Sequence, residues 1–454
     1  MKDCIRIASG QGFWGDLPNA PLNQVKNGPI DYLVMDYLAE VTMSIMQKQR
    51  MRNPYWGYAR DFVGVIDSIL PNIVNDGIKV ISNAGGVNPI ACKDEILRIA
   101  KERGVSDLKV AVVDGDNILN EIDELIEQGH QLKNMETNEP IETIKQSLLS
   151  ANVYFGCRPI VDALEQGANV IITGRVTDTG LTLAPMIYEF GWSYNDYDRM
   201  AVGTIAGHII ECGAQVSGGN YTDWEEIDDF TDIGFPIIES YSDGTFYVTK
   251  HNGTDGLINE KTVKEQLLYE IGDPSQYITP DVIADFTSIE LYPDGKNRVK
   301  VIGIKGKPQT PTYKISASYT DGFKLSSTLV YSWPQALKKA YKGAEILKNR
   351  AKKLGLKLNE FKAEFIGFNG TSEKPVVLQD NIEYDEIELR ISVSGKNKID
   401  IDTFGMEIAP LILTGPSGVT GFAGGRPKAS EIVAYWPALL DKKAVKPCVK
   451  VYSV

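Results

Sequence analysis

The sequence predicts an α/β protein: an N-terminal domain built on a parallel, Rossmann-like, doubly wound sheet, followed by a second α+β domain. Up to about residue 175, short β-branched apolar runs each end in Gly, Asn or Asp and precede a helical stretch. These runs are apolar throughout, which is typical of strands buried on both faces. Beyond about residue 230 strand-like segments dominate. We therefore expect domains at 1–229 and 230–454, with a C-terminal segment that can return to the first domain.

The alternation of strand and helix in the first domain follows the order expected for βαβ units. A helix is also expected at 195–212, with Asn195 or Asp196 as its N-cap and Gly213 as its stop signal. The remaining predicted elements are strands at 5–9, 32–37, 79–82, 109–113 and 169–173, and helices at 39–49, 61–76, 89–103 and 159–166.

The second domain is expected to combine one sheet with one long helix. The helix at 334–354 is rich in lysine, which is typical of a solvated helix face. Because this helix interrupts a series of strands, an antiparallel or mixed sheet is expected. The predicted strands are 244–250, 298–304, 312–319, 323–332, 361–368 and 385–393.

Composition limits the class of function. The 454 residues are 43% hydrophobic and include 42 glycines, as in globular α/β enzymes. A net charge of -13 argues against a broad nucleic-acid or anionic-membrane surface. Five scattered cysteines form no disulfide framework, and the N terminus begins with a strand pattern without an apolar leader. We therefore expect a cytoplasmic protein, and a homo-oligomer on the general frequency of such enzymes.

Small and polar residues cluster where the predicted parallel strands end, which is where such sheets bind ligands. Their amide groups could hold an anion, although tight turns alone would also explain the glycines. No Gly-x-Gly-x-x-Gly spacing or Walker lysine is present, so no nucleotide fold is predicted. Asp114 and Asp116 are consistent with a Mg²⁺ site, a ribose contact or a helix cap. The candidate binding residues are Ser9, Gly10, Gly12, Asn83, Gly85, Gly86, Asp114 and Arg175.

Arg175 and His208 carry the chemistry that we expect. The Arg175 guanidinium suits a carboxylate or phosphate, or alternatively a buried bridge to Asp178 or Asp114. His208 lies one helical turn before Glu211, which could orient the imidazole for acid/base catalysis or form a structural pair with it. A divalent metal is less favoured, because zinc needs three or four protein ligands and none complements His208.

Two further turns could close over the ligand crevice. The first turn contains Lys250, Gly253 and Thr254. The second contains Arg426 between Gly425 and Pro427. Cys212 follows Glu211, whose charge disfavours a thiolate, so a packed and inert thiol is expected there.

The central segment resembles the acyclic terpene utilisation AtuA family, and the resemblance extends over nearly the whole chain. It implies a branched acyclic acyl-CoA or related organic acid as substrate class, and it implies no particular reaction. In that family the main domain is often accompanied by a small ferredoxin-fold module, which we expect here as a separate partner. The residues that carry the resemblance include Gly174-Arg175-Val176, Asp178, Leu183-Ala184-Pro185, Glu189 to Trp192, Asp198-Arg199, Ala206-Gly207-His208, Glu211 to Gln215 and Gly218-Gly219.

The function predicted from these observations is an intracellular enzyme acting on an anionic small molecule, with hydratase, lyase or isomerase-like chemistry. His208, Glu211 and Asp178 form the expected catalytic group. Arg175, with the turns at Ser9 and Asn83, would hold a carboxylate or the phosphates of a CoA thioester. The alternative is a non-catalytic binding or assembly subunit that works with the ferredoxin-fold partner.

Overall fold

The computed structural model describes residues 2–39, 41–372, 382–421 and 425–454. The chain is a mixed α/β protein with two compact units. The first comprises Met1–Ser318 and Tyr435–Val454, and the second comprises Tyr319–Ala434. Within the described ranges, no helix combines the length and the apolar character needed to cross a membrane.

The first unit is organised around a ten-stranded mixed sheet. Its five central strands are parallel, and the strands on either side of them are antiparallel. Residues 236–302, which the sequence assigns to the second domain, contribute four strands to this sheet. In spatial order the strands are β11 (Glu290–Pro293), β12 (Arg298–Ile302), β8 (Phe246–Lys250), β7 (Pro236–Tyr241), β1 (Cys4–Gln11), β2 (Tyr32–Met35), β3 (Lys79–Ser82), β6 (Val170–Thr173), β4 (Lys109–Asp114) and β19 (Cys448–Ser453).

Helices pack on this sheet through amphipathic faces. One helix, α3, buries Phe62, Ile66, Ile69 and Ile73 against the sheet because these residues recur at helical spacing. The helices of the first unit are α1 (Ala20–Lys26), α2 (Thr42–Arg52), α3 (Arg60–Asn75), α4 (Pro89–Glu102), α5 (Ile122–Glu127), α6 (Arg158–Glu165), α7 (Gly180–Phe190), α8 (Tyr197–Ile210) and α9 (Glu260–Leu268).

Helices α7 and α8 are buried on nearly all sides and pack closely together. The side chain of Asp196 caps α8 by accepting a hydrogen bond from the Arg199 N–H, at 3.3 Å. A Cβ at Gly207 would lie 2.7 Å from both the Cα and the carbonyl oxygen of Thr179. Glycine is therefore required at position 207 for α8 to approach the start of α7, and this approach fixes the end of α8 that carries His208.

A three-stranded sheet, which packs against α8, and one further strand complete the first unit. The small sheet has the order β13 (Lys305–Lys307), β10 (Ile283–Asp285) and β9 (Tyr277–Ile278), with antiparallel pairing. Strand β5 (Leu148–Val153) pairs with the long strand β14 (Thr312–Ser332). These elements bring residues near 154, 277 and 314 to the first unit's candidate site.

The second unit contains an antiparallel sheet covered by helix α10 (Ala336–Lys353). The helix buries Ala340, Ala344 and Leu347 against the sheet, while its lysines lie on the opposite, more exposed face. The sheet order is β15 (Glu360–Ile366), β16 (Glu386–Gly395), β14 and β17 (Val419–Thr420), with β18 (Ser430–Asp441) also paired to β14; the other helices are α11 (Lys398–Met406) and α12 (Leu411–Thr414).

Candidate functional site

A cavity of about 380 Å³ in the first unit brings together several charged side chains. Its wall is formed by the turn after β6, the end of α8, the segment after α9, and strands β9 and β14. Because its volume falls within the range of small-molecule sites, it can enclose an organic ligand. The polar and aromatic residues that line it are Tyr154, Arg175, Thr177, Asp178, Glu211, Glu270, Tyr277, Thr279, Thr310, Thr312 and Lys314.

The Arg175 guanidinium is almost completely buried and is held on several sides. Its Nη1 donates to the Leu38 carbonyl oxygen at 2.5 Å, and its Nη2 lies 3.0 and 3.1 Å from the two carboxylate oxygens of Asp178. The Tyr154 ring lies beneath the guanidinium carbon, at 4.2 Å from the ring centroid. The buried bridge to Asp178, one of the two alternatives for Arg175, is thus present in the structure.

The backbone of Arg175 is fixed by a second buried carboxyl group. Oδ2 of Asp116 accepts hydrogen bonds from the Arg175 N–H and from the Asn152 side chain, both at 2.8 Å. Burial raises the pKa of Asp116 to about 7, although these two hydrogen bonds oppose the shift. Asp116 is therefore a positioning group whose protonation state changes near neutral pH.

The loop after β2 supplies the carbonyl group that Arg175 contacts, and Asn83 holds this loop in place. The Asn83 side chain donates to Asp36 Oδ1 at 2.7 Å and accepts from the Tyr37 N–H at 2.7 Å. Burial raises the pKa of Asp36, while the Arg175 charge lowers it by a smaller amount. Asn83 thus acts on Arg175 through the loop and does not line the cavity.

His208 and Glu211 form a hydrogen-bonded pair at the end of α8. His208 Nδ1 lies 2.9 Å from Glu211 Oε1, and the imidazole packs against the rings of Tyr277 and Phe286 at 5.5 and 5.6 Å between centroids. The buried atoms His208 Nε2 and Glu211 Oε2 have no hydrogen-bond partner within the described part of the chain. Glu211 lines the cavity, whereas His208 lies behind it.

The surroundings of Glu211 favour its protonated form. Burial raises the pKa of this carboxyl group, and the nearby Asp178 and Glu270 add smaller contributions in the same direction. The hydrogen bond from His208 opposes this effect. A carboxyl group with a raised pKa next to an oriented imidazole is suited to general acid/base chemistry.

The surroundings of the neighbouring Cys212 thiol disfavour its nucleophilic thiolate form. Burial and the Glu211 charge raise the pKa of Cys212 to about 12, so the thiolate is scarce at neutral pH. The described residues also include no group of three or more His, Cys, Asp or Glu side chains arranged to hold a metal ion.

The glycine-rich turn after β1 packs tightly beside the site without lining the cavity. A Cβ at Gly12 would lie 2.7 Å from the Cys212 backbone, and one at Gly10 would lie 2.9 Å from Leu33. The Ser9 carbonyl oxygen accepts from the buried Gln24 side chain at 2.8 Å. Close packing of the chain accounts for the small residues in this turn.

The turn after β3 has a similar role in packing. A Cβ at Gly85 would lie 2.5 Å from the Thr173 carbonyl oxygen, and Gly86 adopts a φ of +52° beside the Met46 sulfur. Asp114 lies at the end of β4, opposite Cys448 of β19, and its Oδ1 accepts from the Gly115 N–H at 2.8 Å. None of these residues lines the cavity that contains Arg175.

The two additional turns lie elsewhere in the chain. Lys250 is buried and donates to the carbonyl oxygen and the hydroxyl group of Thr254, at 2.7 and 2.6 Å. Arg426 is exposed and belongs to the second unit. The structure therefore groups Arg175, Asp178, His208 and Glu211, and it places Lys250 outside that cavity.

Glu270 and Lys314 line the cavity although they were not among the candidates from sequence. Glu270 has a positive φ of +58°, which is rare for a residue with a side chain. Lys314 is half-buried, with its ammonium group 5.1 Å from the Tyr154 ring centroid. The sequence contains no local signal for Lys314, because it lies on a strand more than 100 residues after Glu211.

No protein of curated function matches this chain. A family model described as "Acyclic terpene utilisation family protein AtuA" matches residues 5–451, which is nearly the entire length of the chain. The segment with Arg175, Asp178, His208 and Glu211 lies within this match. The chain therefore belongs to the acyclic terpene utilisation AtuA family.

Proposed function

We propose that this protein is a cytoplasmic enzyme of organic-acid or acyl-CoA catabolism that transfers a proton to or from a substrate bound in the Arg175 cavity. The observation that carries the proposal is the His208–Glu211 pair, which is joined by a 2.9 Å hydrogen bond and whose glutamate lines the cavity. Hydration, elimination and isomerisation next to a carbonyl group all require such a transfer. Family membership supports the substrate class.

Glu211 is the group that exchanges the proton with the substrate. Its Oε1 is engaged by His208, whereas Oε2 has no partner in the described ranges and belongs to a residue of the cavity wall. His208 is a positioning residue, since it lies behind Glu211 and is itself held by Tyr277 and Phe286. A proton taken up at Oε2 is stabilised by the burial that disfavours the Glu211 carboxylate.

Lys314 is the cation that binds an anionic group of the substrate. Arg175 already contacts Asp178 and the Leu38 carbonyl oxygen, so its charge is largely compensated within the protein. The Lys314 ammonium group contacts the faces of Tyr154 and Tyr435 and has no ion pair with a described carboxylate. Lys314 and Glu211 line the same cavity, so a substrate whose anionic group binds Lys314 shares that cavity with Glu211.

Hydrogen exchange tests this proposal whichever product the reaction forms. The chain is incubated in D₂O with branched acyclic carboxylates and their CoA thioesters, and deuterium incorporation is followed by NMR. We expect exchange with the wild type, loss of exchange with Glu211→Gln at unchanged ligand affinity, and weaker ligand binding with Lys314→Met. Glu225→Gln, which alters an exposed glutamate, is the matched control.

Two results would contradict the proposal. Exchange that persists in Glu211→Gln would remove this residue from the reaction. Ligand binding without exchange in the wild type would instead indicate a non-catalytic binding subunit. Addition of a small ferredoxin-fold partner would then show whether such a subunit completes the site.

A further inference from the structure

A second cavity of about 560 Å³ lies in the first unit and has a different chemical character. Pro280 lines both cavities, but strand β14 separates their walls: Tyr313 faces the second cavity, while its neighbours Thr312 and Lys314 face the first. This division follows from the alternation of side chains along a strand. The second cavity is therefore a distinct site.

Three cationic side chains line this cavity, and none of them has an ion pair with a described carboxylate. They are Arg158, Lys442 and Lys446. Their grouping is unusual because the chain carries a net charge of -13. Asp162 and Asp281 also line the cavity, but neither forms an ion pair with these three cations, and the cations outnumber the acidic groups of the wall. This excess of positive charge favours an anion.

Two of the cations lie over aromatic rings. The Arg158 guanidinium carbon is 5.2 Å from the centroid of the Tyr194 ring, and the Lys442 ammonium is 5.4 Å from that of Tyr313. Lys442 Nζ also donates to the Pro280 carbonyl oxygen at 2.6 Å. These contacts hold the charges beside two aromatic rings of the cavity wall.

One of the two acidic groups in the cavity wall, Asp281, is held by another element. Both carboxylate oxygens of Asp281 accept from the Cys157 N–H at 3.0 Å, and the Cys157 thiol lies 3.2 Å from Oδ1. Asp281 is thus held at the start of α6, and no ion pair joins it to Lys442. Burial lowers the pKa of Lys442, and the charge of Asp281 only partly opposes this.

We propose that this cavity is a second binding site, which takes a phosphate-bearing ligand with an aromatic ring, of the nucleoside diphosphate class. Arg158 can bind a phosphate through two parallel hydrogen bonds, and the two lysines act as point charges. The rings of Tyr194 and Tyr313 offer stacking surfaces for a base. The site goes beyond the proton-transfer function and does not depend on it.

Calorimetric titration of the full chain with inorganic pyrophosphate, ADP and adenosine tests this site. We expect ADP to bind more tightly than pyrophosphate, adenosine to bind more weakly than both, and added salt to weaken the two anions. Lys442→Met should raise the Kd of ADP roughly tenfold or more, because it removes a charge-assisted contact. Lys443→Met is the matched control, since Lys443 is the exposed neighbour and does not line the cavity.

Three outcomes would overturn the proposal: no binding of pyrophosphate or ADP, equal weakening in Lys443→Met, or adenosine binding as tightly as ADP. If Lys442→Met alters the thermal melt, Arg158→Leu gives a second variant at an exposed position. ADP binding should be unchanged in Glu211→Gln. A failure of the proton-transfer proposal therefore leaves this measurement intact.

Discussion

The buried carboxyl group of Asp116 makes the stability of this protein depend on pH in an unusual direction. Burial raises its pKa to about 7 in the folded chain, compared with about 3.9 in an unfolded chain. The folded state therefore binds the proton more tightly. The stabilising contribution of the proton on Asp116 is fully present below a pH of about 4, and it is lost as the pH rises through about 7.

The magnitude follows from the shift in pKa. A difference of about three pKa units corresponds to roughly 4 kcal/mol of unfolding free energy between low and high pH. Asp116→Asn retains the size of the side chain and an oxygen acceptor for the Arg175 N–H, but it cannot ionise. We expect the variant to gain about 4 kcal/mol relative to the wild type between pH 4 and pH 8.

Urea denaturation at pH values from 4 to 8 measures this difference directly. Asp114→Asn is the matched control, because Asp114 lies two residues away and its side chain accepts from the Gly115 N–H. The control removes a partly buried carboxyl group at the same strand end and leaves the Asp116 carboxyl group in place. A constant offset between Asp116→Asn and the wild type across this range would refute the reasoning.

Three further predictions concern packing, reactivity and backbone strain. Gly207→Ala should destabilise the protein by about 1–3 kcal/mol in urea denaturation, because its Cβ meets the Thr179 backbone, whereas Gly64→Ala has open space and should be neutral or stabilising. Iodoacetamide at pH 8 should modify the exposed Cys448 well before Cys212, whose pKa is raised to about 12; mass spectrometry that finds Cys212 first would contradict this. Glu270→Gly should raise the thermal midpoint, because the positive φ of Glu270 costs about 1 kcal/mol and glycine removes this strain. A lower midpoint would show that the Glu270 side chain stabilises the fold.

Local patterns in the sequence were sufficient to predict most of the central sheet. The five strands expected in the first domain are present as β1, β2, β3, β4 and β6, with bounds that differ by at most two residues. They are recognisable because a strand buried on both faces must be apolar at every position. Strand β5 was not among the predicted strands, since its pairing partner β14 is more than 150 residues away.

In the candidate site, only contacts between residues that are close in sequence could be predicted. His208 and Glu211 are three residues apart on one helix, and so are Arg175 and Asp178 in the turn after β6. Glu270, Tyr154 and Lys314 reach the same cavity from distant segments, and the sequence contains no periodicity that specifies those approaches. Contacts of this kind depend on how whole elements pack.

The glycine-rich turns illustrate a different limit of sequence reasoning. A glycine is equally suited to exposing an amide to an anion and to letting two backbones approach each other. Gly12 and Gly85 each lie where a Cβ would contact another backbone at less than 3 Å. The segment that packs against each glycine decides which of these two roles applies. In both cases that segment is distant in sequence.

The buried carboxyl groups near Arg175 are not explained by a contribution to folding stability. Burial raises the pKa values of Asp36, Asp116 and Glu211. Ionising any of these carboxyl groups therefore costs free energy in the folded chain. Apolar residues of similar volume would remove that cost, because buried ion pairs are often no more stable than the packing that replaces them. The proton-transfer function that we propose would account for keeping several such groups around one arginine.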